Sequence, residues 1–353
     1  MRAGDSRGGR QIPSPCRVQG QKRTERQAMR ASVRIGKTTA AMLLLAAVVA
    51  GCSAGSSRGP ATSAARPPVA PALRGQALRE LESAYASPDA VVRAHAMEVL
   101  HELALPDAAG PILAALRDRE AIVRFAAATA AGELRLAEAR EPLLAMINDK
   151  DANVRVAAIF AMHRLGDTRF SRTLEQTLTD PDVNVRGNTA MLLGRLGERS
   201  AVRILVPRLR AEREVRVKLQ IAEALWMLGD ENGLKMLVAA SISRYPDDQM
   251  IAFTALAGPH DQRVAGHIVS GLSSDYAEVA LVAARALGMV GRADGMQVAM
   301  KYVTAGDPRQ RLLAARALGA IGRTDAQQAL AGLLKDKSAD VRLSAAAAIL
   351  ALR

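Results

Sequence analysis

A pattern of apolar and polar positions returns along most of the chain, from Leu73 onward. Each unit has a short segment with apolar residues at helical spacing, then a polar turn, then a second segment of the same kind. In the third unit, Val154, Ala158 and Leu165 lie on one stripe of the second segment, and Gly166 follows it. Apolar residues at this spacing predict an amphipathic helix, and a following glycine predicts its end. The pattern predicts an all-α chain of helical hairpins.

A Val-Arg pair marks the second helix of many units and gives the period. The first four pairs are 31 residues apart and begin at Val92, Val123, Val154 and Val185. The register continues through a degenerate Met250-Ile251 to Val341-Arg342, which makes nine units. A period of 20–50 residues is typical of solenoids, in which each unit buries its apolar face against its neighbours. We therefore expect an α-solenoid of about nine hairpins over residues 72–353.

The fourth unit carries the segments Asp180-Pro181-Asp182, Val185-Arg186 and Leu196-Gly197. In these residues the unit resembles the short bacterial HEAT repeat, of the phycobilisome-lyase HEAT-like type. The resemblance implies that an acidic residue of the inter-helix turn pairs with the arginine of a nearby second helix. It thus implies a structural ladder, in which each acid lies six residues before an arginine: Asp118, Arg124, Asp149, Arg155, Asp180, Arg186, Asp336 and Arg342.

A basic segment, a short apolar run and small residues occur in this order before Cys52. The apolar run covers residues 40–50, about half of what a helix needs to cross a bilayer, so the order predicts a cleavable signal over residues 29–51. The four residues ending in Cys52 resemble the lipobox of bacterial lipoproteins. This resemblance implies cleavage between Gly51 and Cys52 and acylation of Cys52. We expect a lipid-anchored envelope protein, and Ser53 favours the outer membrane, facing the periplasm.

The segments on either side of the signal are expected to have no packed structure. Residues 1–28 are rich in Arg, Gln, Gly and Pro, and we interpret them as a disordered, over-extended gene start before Met29. Residues 52–71 begin with the lipidated cysteine and are rich in Ser, Ala and Pro, which predicts a flexible tether.

Most of the overall charge of +13 lies in the segment before Cys52. Residues 1–51 hold 10 Lys+Arg and 2 Asp+Glu, so the exported part keeps 38 against 33 and a net charge of +5. The basic balance therefore gives no argument for a nucleic-acid partner. Aromatic residues make up only 3% of the chain, because small alanines let neighbouring helices pack closely.

The sequence contains no motif of a known catalytic or metal site. Deoxyhypusine hydroxylase is built from similar repeats and binds iron through His-Glu pairs after the Val-Arg-like position. Here that position holds residues such as Ala94 and Phe125, which cannot ligate iron. His101 and His163 lie at the same position of their units, eight residues after the arginine. We consider two interpretations: they fill space between helices, or they belong to a metal or substrate site. We expect no enzyme activity and no cofactor. The alternative is an envelope enzyme or enzyme accessory, metal-dependent or lyase-like.

The second helices are expected to line a concave face that binds an unidentified protein or peptide, as a non-catalytic scaffold. Its candidate residues are Phe125, Val156, Phe160, Arg164, Met191, Arg195, Leu219, Glu223 and Met227. The alternative is that the apolar members pack against the adjacent repeat. A second expectation concerns residues 345–353, where the chain stops within an apolar run. An uncapped solenoid end invites self-association or a partner.

Overall fold

The computed structural model describes residues 69–352, and this part of the chain contains eighteen α-helices with short 3₁₀ turns and no strand. The predicted all-α solenoid is confirmed. No helix in this range has the length and apolar content that a membrane crossing requires. The predicted signal, its cleavage site and the lipidation site at Cys52 lie outside the described residues.

The helices alternate between an outer and an inner set, with one of each in every repeat. The outer helices are α1 (Pro71–Tyr85), α3 (Ala109–Ala115), α5 (Arg140–Met146), α7 (Ser171–Gln176), α9 (Val202–Ala211), α11 (Glu231–Ser241), α13 (Ala265–Val269), α15 (Met296–Tyr302) and α17 (Gln327–Leu333). The inner helices are α2 (Ala90–Glu102), α4 (Ala121–Glu133), α6 (Ala152–Arg164), α8 (Val183–Leu196), α10 (Val215–Met227), α12 (Pro246–Ala257), α14 (Ala277–Met289), α16 (Pro308–Ile321) and α18 (Ala339–Ala351).

Several inner helices begin at an aspartate that caps free backbone N–H groups. The Asp151 carboxylate accepts from the Asn153 N–H at 2.8 Å, and Asp89 and Asp182 do the same in their repeats. Such caps stabilise a helix start by about 1 kcal/mol. Where an inner helix ends, Gly166 adopts a φ of +88°, which L side chains rarely reach. In units that have both a capping aspartate and such a glycine, these residues set the bounds of the inner helix.

The arginine ladder runs from each repeat to the next. Arg124 donates through Nε and Nη2 to the two carboxylate oxygens of Asp149, both at 2.8 Å. Its Nη1 donates to the main-chain oxygen of Asp118 at 2.9 Å. The same pattern joins Arg93 to Asp118 and Arg311 to Asp336.

The pairing of acid and arginine six residues apart was therefore wrong in detail. The acid six residues before the arginine accepts a hydrogen bond through its main-chain oxygen. The guanidinium extends past this turn and binds the carboxylate of the following repeat. Arg186 pairs in this way with Glu212 of the next turn, while Arg155 bonds to the main-chain oxygens of Asp149 and Lys150.

The sixth repeat corrects the register taken from the sequence. A ladder arginine lies four residues after the residue that precedes its inner helix. In the sixth repeat this position is Gln249, and not Ile251. Its Nε2 donates to the main-chain oxygen of Ser243, six residues earlier, as the ladder arginines do in their own turns. A neutral amide keeps this bond but cannot form the ion pair with the next repeat.

Adjacent inner helices approach closely at glycines near their C-terminal ends. A Cβ on Gly132 would stand 2.7 Å from the Cα of Ala161, and one on Gly288 would stand 2.6 Å from the main-chain nitrogen of Ile321. No side chain fits at these distances. The glycines therefore permit the close packing that a chain with few aromatic residues needs.

The solenoid closes into a ring. Helix α18 packs along α1 and also contacts α2, so the last repeat covers the first. At this junction, Arg342 donates from Nε to Oε1 of Glu80 at 2.8 Å, and His95 Nδ1 lies 3.2 Å from Asp340 Oδ1. Ala77 and Leu81 of α1 are buried there, as is Leu350 of α18.

This closure corrects the expectation of an uncapped C-terminal repeat. The apolar edge of α18 is covered by the apolar edge of α1, because the curvature of nine hairpins brings the two ends together. Each edge therefore removes the other from water. The apolar run of residues 345–350 gives no argument for self-association.

Candidate functional site

The candidate concave residues lie on the inner helices, but most of them are buried. Phe160 is fully buried, and its Cε1 stands 3.0 Å from where a Cβ on Gly132 would be. Phe160 therefore fills the space between α6 and α4. Four further apolar members are buried as well: Phe125, Val156, Met191 and Leu219. An open apolar groove was the wrong expectation, since closure of the ring and packing on adjacent repeats enclose these side chains.

The centre of the ring is narrow and charged. Nine helices about 9 Å apart would place their axes about 13 Å from the centre, and a helix with side chains has a radius of about 5–6 Å. Long side chains reach into the remaining space from four of the inner helices. We call this cluster the charged centre: Glu98 and Glu102 on α2, Arg195 on α8, Arg285 on α14 and Arg316 on α16. Coulomb interactions connect Glu98 with all four of the others.

The carboxyl groups of this region hold their protons unusually well. Burial raises the pKa of Glu98 to about 8, against the opposing effect of Arg316, and Glu102 raises it further. Burial also raises the pKa of Glu223 to about 7, with Arg195 opposing, and raises the pKa of Glu102. At pH 7, the Glu98 carboxyl is therefore mostly neutral.

Two histidines lie beside these carboxyl groups and are neutral at pH 7. Burial, with the charge of Arg195, lowers the pKa of His101 to about 3. Its Nδ1 lies 3.4 Å from the main-chain oxygen of Met97, which assigns the proton to Nδ1, and its Nε2 is buried without a partner. His95 has a pKa of about 4, lowered by burial and by Arg316. Its Nε2 accepts from Arg316 Nη2 at 2.7 Å, so Nδ1 donates to Asp340.

The arginines keep their charge. Arg195 Nη1 lies 3.7 Å from Glu133 Oε1, and Arg164 Nη2 lies 3.3 Å from Glu133 Oε2, so two cations share one carboxylate. Burial, with the repulsion of Arg316, lowers the pKa of Arg285 to about 10, still far above neutral pH. Because the facing carboxyl groups are partly protonated, positive charge prevails at the centre.

A second candidate surface lies on the edge of the ring, in the turns of the sixth and seventh repeats. Tyr245 and Tyr276 stand directly before α12 and α14, where four other repeats have a capping aspartate, and both are about half exposed. Ile242 is 77% exposed in the same turn as Tyr245. We call these three residues the tyrosine edge. Sequence reasoning did not identify them, although two tyrosines at equivalent positions, in a chain with only four, were a signal.

Metal coordination finds no support within residues 69–352, where no group of three His, Cys, Asp or Glu residues could hold an ion. His163 Nε2 lies 3.3 Å from Glu198 Oε1, and His101 stands two repeats away. The two histidines that share an offset in the sequence therefore have separate surroundings.

Comparison with known proteins identifies the repeat. A family model described as HEAT repeats matches residues 78–163, 140–226, 170–257 and 267–351. No curated protein matches the sequence.

Solved structures share the architecture at low identity. The complex of CpcE and CpcF of phycocyanin lyase, from Nostoc, matches at 18% identity and a TM-score of 0.43, over 71% of this chain and 97% of that one. Human deoxyhypusine hydroxylase matches at 20% identity and a TM-score of 0.36, over 78% and 96%. The YibA protein of Escherichia coli matches at 19% identity and a TM-score of 0.33, over 76% and 100%.

These matches correct the expectation that the chain is not an enzyme. A lyase complex and a hydroxylase occur among the proteins with similar repeats, so the architecture does not exclude catalysis. At this level of similarity the matches concern the fold alone. Function must be argued from the chain's own surfaces.

Proposed function

Because the chain belongs to the HEAT-repeat family, we propose that it is a lipid-anchored scaffold of the bacterial envelope that binds a basic, apolar segment of another protein. The observation that carries this proposal is the tyrosine edge. HEAT repeats form extended surfaces from equivalent positions on successive units. Here two successive units present a tyrosine at one such position.

The tyrosine edge departs from the four repeats whose inner helix begins at a capping aspartate. Neither tyrosine caps its helix with a side-chain hydrogen bond, whereas Asp89 and Asp151 do so at this position. Exposed tyrosine adds nothing to the buried core, and tyrosine is enriched in protein interfaces. Tyrosine at these two positions therefore favours the binding of a partner over the stability of the helix start.

The charge around the tyrosine edge indicates the kind of segment that this surface would bind. Residues 242–248 and 274–278 contain four acidic side chains, Asp247, Asp248, Asp275 and Glu278, and one basic side chain, Arg244. Arg244 Nη2 donates to the Tyr245 hydroxyl at 2.6 Å, and its guanidinium carbon lies 4.8 Å from the ring centroid. An acidic surface with aromatic rings complements a segment that carries lysine or arginine beside apolar residues.

Site-specific photocrosslinking tests this proposal in the native envelope. A benzophenone amino acid is placed at Tyr245 or Tyr276 and, as a control, at Leu144, which is 37% exposed on outer helix α5. The expected result is one protein crosslinked from both tyrosine positions, through a segment rich in Lys or Arg, and not from Leu144. The Asp247→Lys/Asp275→Lys variant should abolish these crosslinks.

Three outcomes would count against the tyrosine edge. They are an absence of crosslinks, the same products from Leu144, and crosslinks that persist in the charge-reversed variant. A melting temperature equal to that of the unmodified protein shows that the charge-reversed variant is folded.

The anchor rests on the sequence from Val49 to Cys52. Acyl chains bind a membrane with about 0.8 kcal/mol for each buried CH₂ group, so several chains on Cys52 would hold the protein there. Ser53 favours the outer membrane. Labelling of the protein with radioactive palmitate, lost in Cys52→Ala, tests the anchor, and fractionation of the two membranes tests the location. A mature protein that retains residues before Cys52 would contradict it.

A second candidate function is that of an envelope enzyme or enzyme accessory. The observation that favours it is that two buried carboxyl groups, Glu98 and Glu223, both interact with Arg195 and have pKa values of about 8 and 7. General acids and bases work best when their pKa lies near the operating pH. Loss of the partner enzyme's activity in Glu223→Gln, with the crosslinks at Tyr245 retained, would support this role.

A further inference from the structure

We infer that the charged centre of the ring is a binding site for a small oxyanion, a carboxylate or a phosphate, held by Arg195 and Arg316. This site is separate from the tyrosine edge and does not depend on the binding of a protein partner. Four inner helices supply its side chains, so it forms only when the ring is closed.

The placement of the two arginines suits an anion. Arg195 comes from α8 and Arg316 from α16, on different sides of the ring, yet both act electrostatically on the same carboxyl group, Glu98. Arg316 bonds to a neutral acceptor, His95 Nε2, and the Asp340 carboxylate on the other side of that ring acts on Arg316 only through space. Arg195 shares Glu133 with Arg164. Neither guanidinium has a carboxylate of its own.

A buried polar atom at the centre points to a ligand independently of the charges. Oε1 of Glu98 has no hydrogen-bond partner, and Glu98 is more than nine-tenths buried. A buried polar group without a partner costs about 1–3 kcal/mol. The neutral Glu98 carboxyl has a proton to donate, and an oxyanion is an acceptor for it.

Burial weakens the opposition of the remaining carboxyl groups to an anion. Glu102 and Glu223 share the raised pKa of Glu98, because ionisation in this enclosed space is unfavourable. Glu102, Arg285 and Arg316 keep part of their surface accessible, so water reaches the centre. An anion that enters would meet the arginines in a region of low dielectric, where their attraction is strong.

Titration calorimetry tests the site with three probes, succinate, citrate and inorganic phosphate, added to the purified full-length protein at pH 7 and low ionic strength. The expected result is one-to-one binding of at least one probe. Binding of succinate or citrate alone identifies a carboxylate site, and binding of phosphate alone identifies a phosphate site. The Arg195→Gln/Arg316→Gln variant should bind at least about tenfold more weakly.

The matched control is Arg292→Gln, which removes an arginine that pairs with Asp294 on the edge of the ring. It should leave the affinity unchanged. Because the double variant changes buried residues, Glu98→Gln provides a second test that retains both arginines. Affinity should fall as the pH rises from 7 to 9 in the unmodified protein, since Glu98 ionises, and Glu98→Gln should weaken this dependence. Absence of binding by all three probes, or equal loss in Arg292→Gln, would overturn the inference.

Discussion

Arg342, in the last inner helix, donates from Nε to Oε1 of Glu80, in the first outer helix, at 2.8 Å. Arg342 also donates to the main-chain oxygen of Asp336 in its own turn, as the ladder arginines of earlier repeats do. Glu80 therefore takes the place that the acid of a tenth repeat would hold. The ladder continues across the junction, and the ring closes with the contact that joins its consecutive units.

Loss of this ion pair should loosen the junction. We expect Arg342→Ala to lower the free energy of unfolding by about 1 kcal/mol, because the pair is only partly buried. Small-angle X-ray scattering should then detect a larger radius of gyration for an opened ring. Arg323→Ala, which removes an exposed pair with Asp325, is the control and should leave the radius unchanged. An unchanged radius in Arg342→Ala would show that apolar packing alone closes the ring.

The ladder arginines should differ in their contribution to stability according to their partners. Arg124→Ala leaves the half-buried Asp149 carboxylate without its cation, and we expect a loss of about 3 kcal/mol in chemical denaturation. Arg155→Ala is the matched control one repeat later, where the arginine bonds to main-chain oxygens, and it should cost about 1 kcal/mol. Equal losses in the two variants would refute a specific role for the carboxylate.

Aspartates at buried positions of the inner face should prevent folding. We expect Phe160→Asp/Met191→Asp to lose its helical circular dichroism signal near room temperature, because each change removes buried apolar surface and introduces a charge. Tyr276→Asp, on the tyrosine edge, should keep the signal and the melting temperature. A folded Phe160→Asp/Met191→Asp variant that fails to bind a partner would restore the concave groove as the binding surface.

The buried carboxyl groups should make the protein less stable as the pH rises. The folded pKa of Glu98 is about 8, above its unfolded value near 4.5, so the folded state holds the proton while the unfolded state releases it. Stability therefore falls as the pH rises from about 4.5 to 8 and then levels off. Burial is the main cause, and the facing groups Arg316, Arg195, Arg285 and Glu102 modify it.

Glu98→Gln removes this ionisation. We expect it to raise the melting temperature at pH 8.5 by about 2–5 °C and to leave it almost unchanged at pH 5. Glu120→Gln, which changes an exposed carboxyl directly before α4, is the control and should have no such pH-dependent effect. An identical shift of Glu98→Gln at both pH values would contradict the raised pKa.

The helical hairpins could be predicted from the sequence because their causes are local. The Val-Arg pairs, the capping aspartates and glycines such as Gly166 each act within one unit. The sixth repeat was misaligned by two residues because Gln249 replaces the arginine, and an amide has no distinctive pattern in a sequence. Its equivalence to the arginines depends on the bond to the Ser243 carbonyl.

The candidate sites depended on relations between distant residues. Glu98 and Arg316 are separated by seven repeats along the chain and meet only because the ring closes. Phe160 and Met191, which helical spacing alone had placed on an open face, are buried, and Phe160 lies between α4 and α6. Tyr245 and Tyr276 are exposed because they lie on the edge of the ring, outside both apolar layers.

The sequence by itself determined the repeat and its helices, since both follow from spacing within a unit of 31 residues. The tertiary structure decided that the ladder passes from unit to unit and that the last repeat covers the first. Small differences in the packing angle between neighbouring repeats add up over nine repeats. The total curvature therefore cannot be read from the sequence of any single unit. Whether the inner face is an open groove or an enclosed, charged centre depends on that curvature.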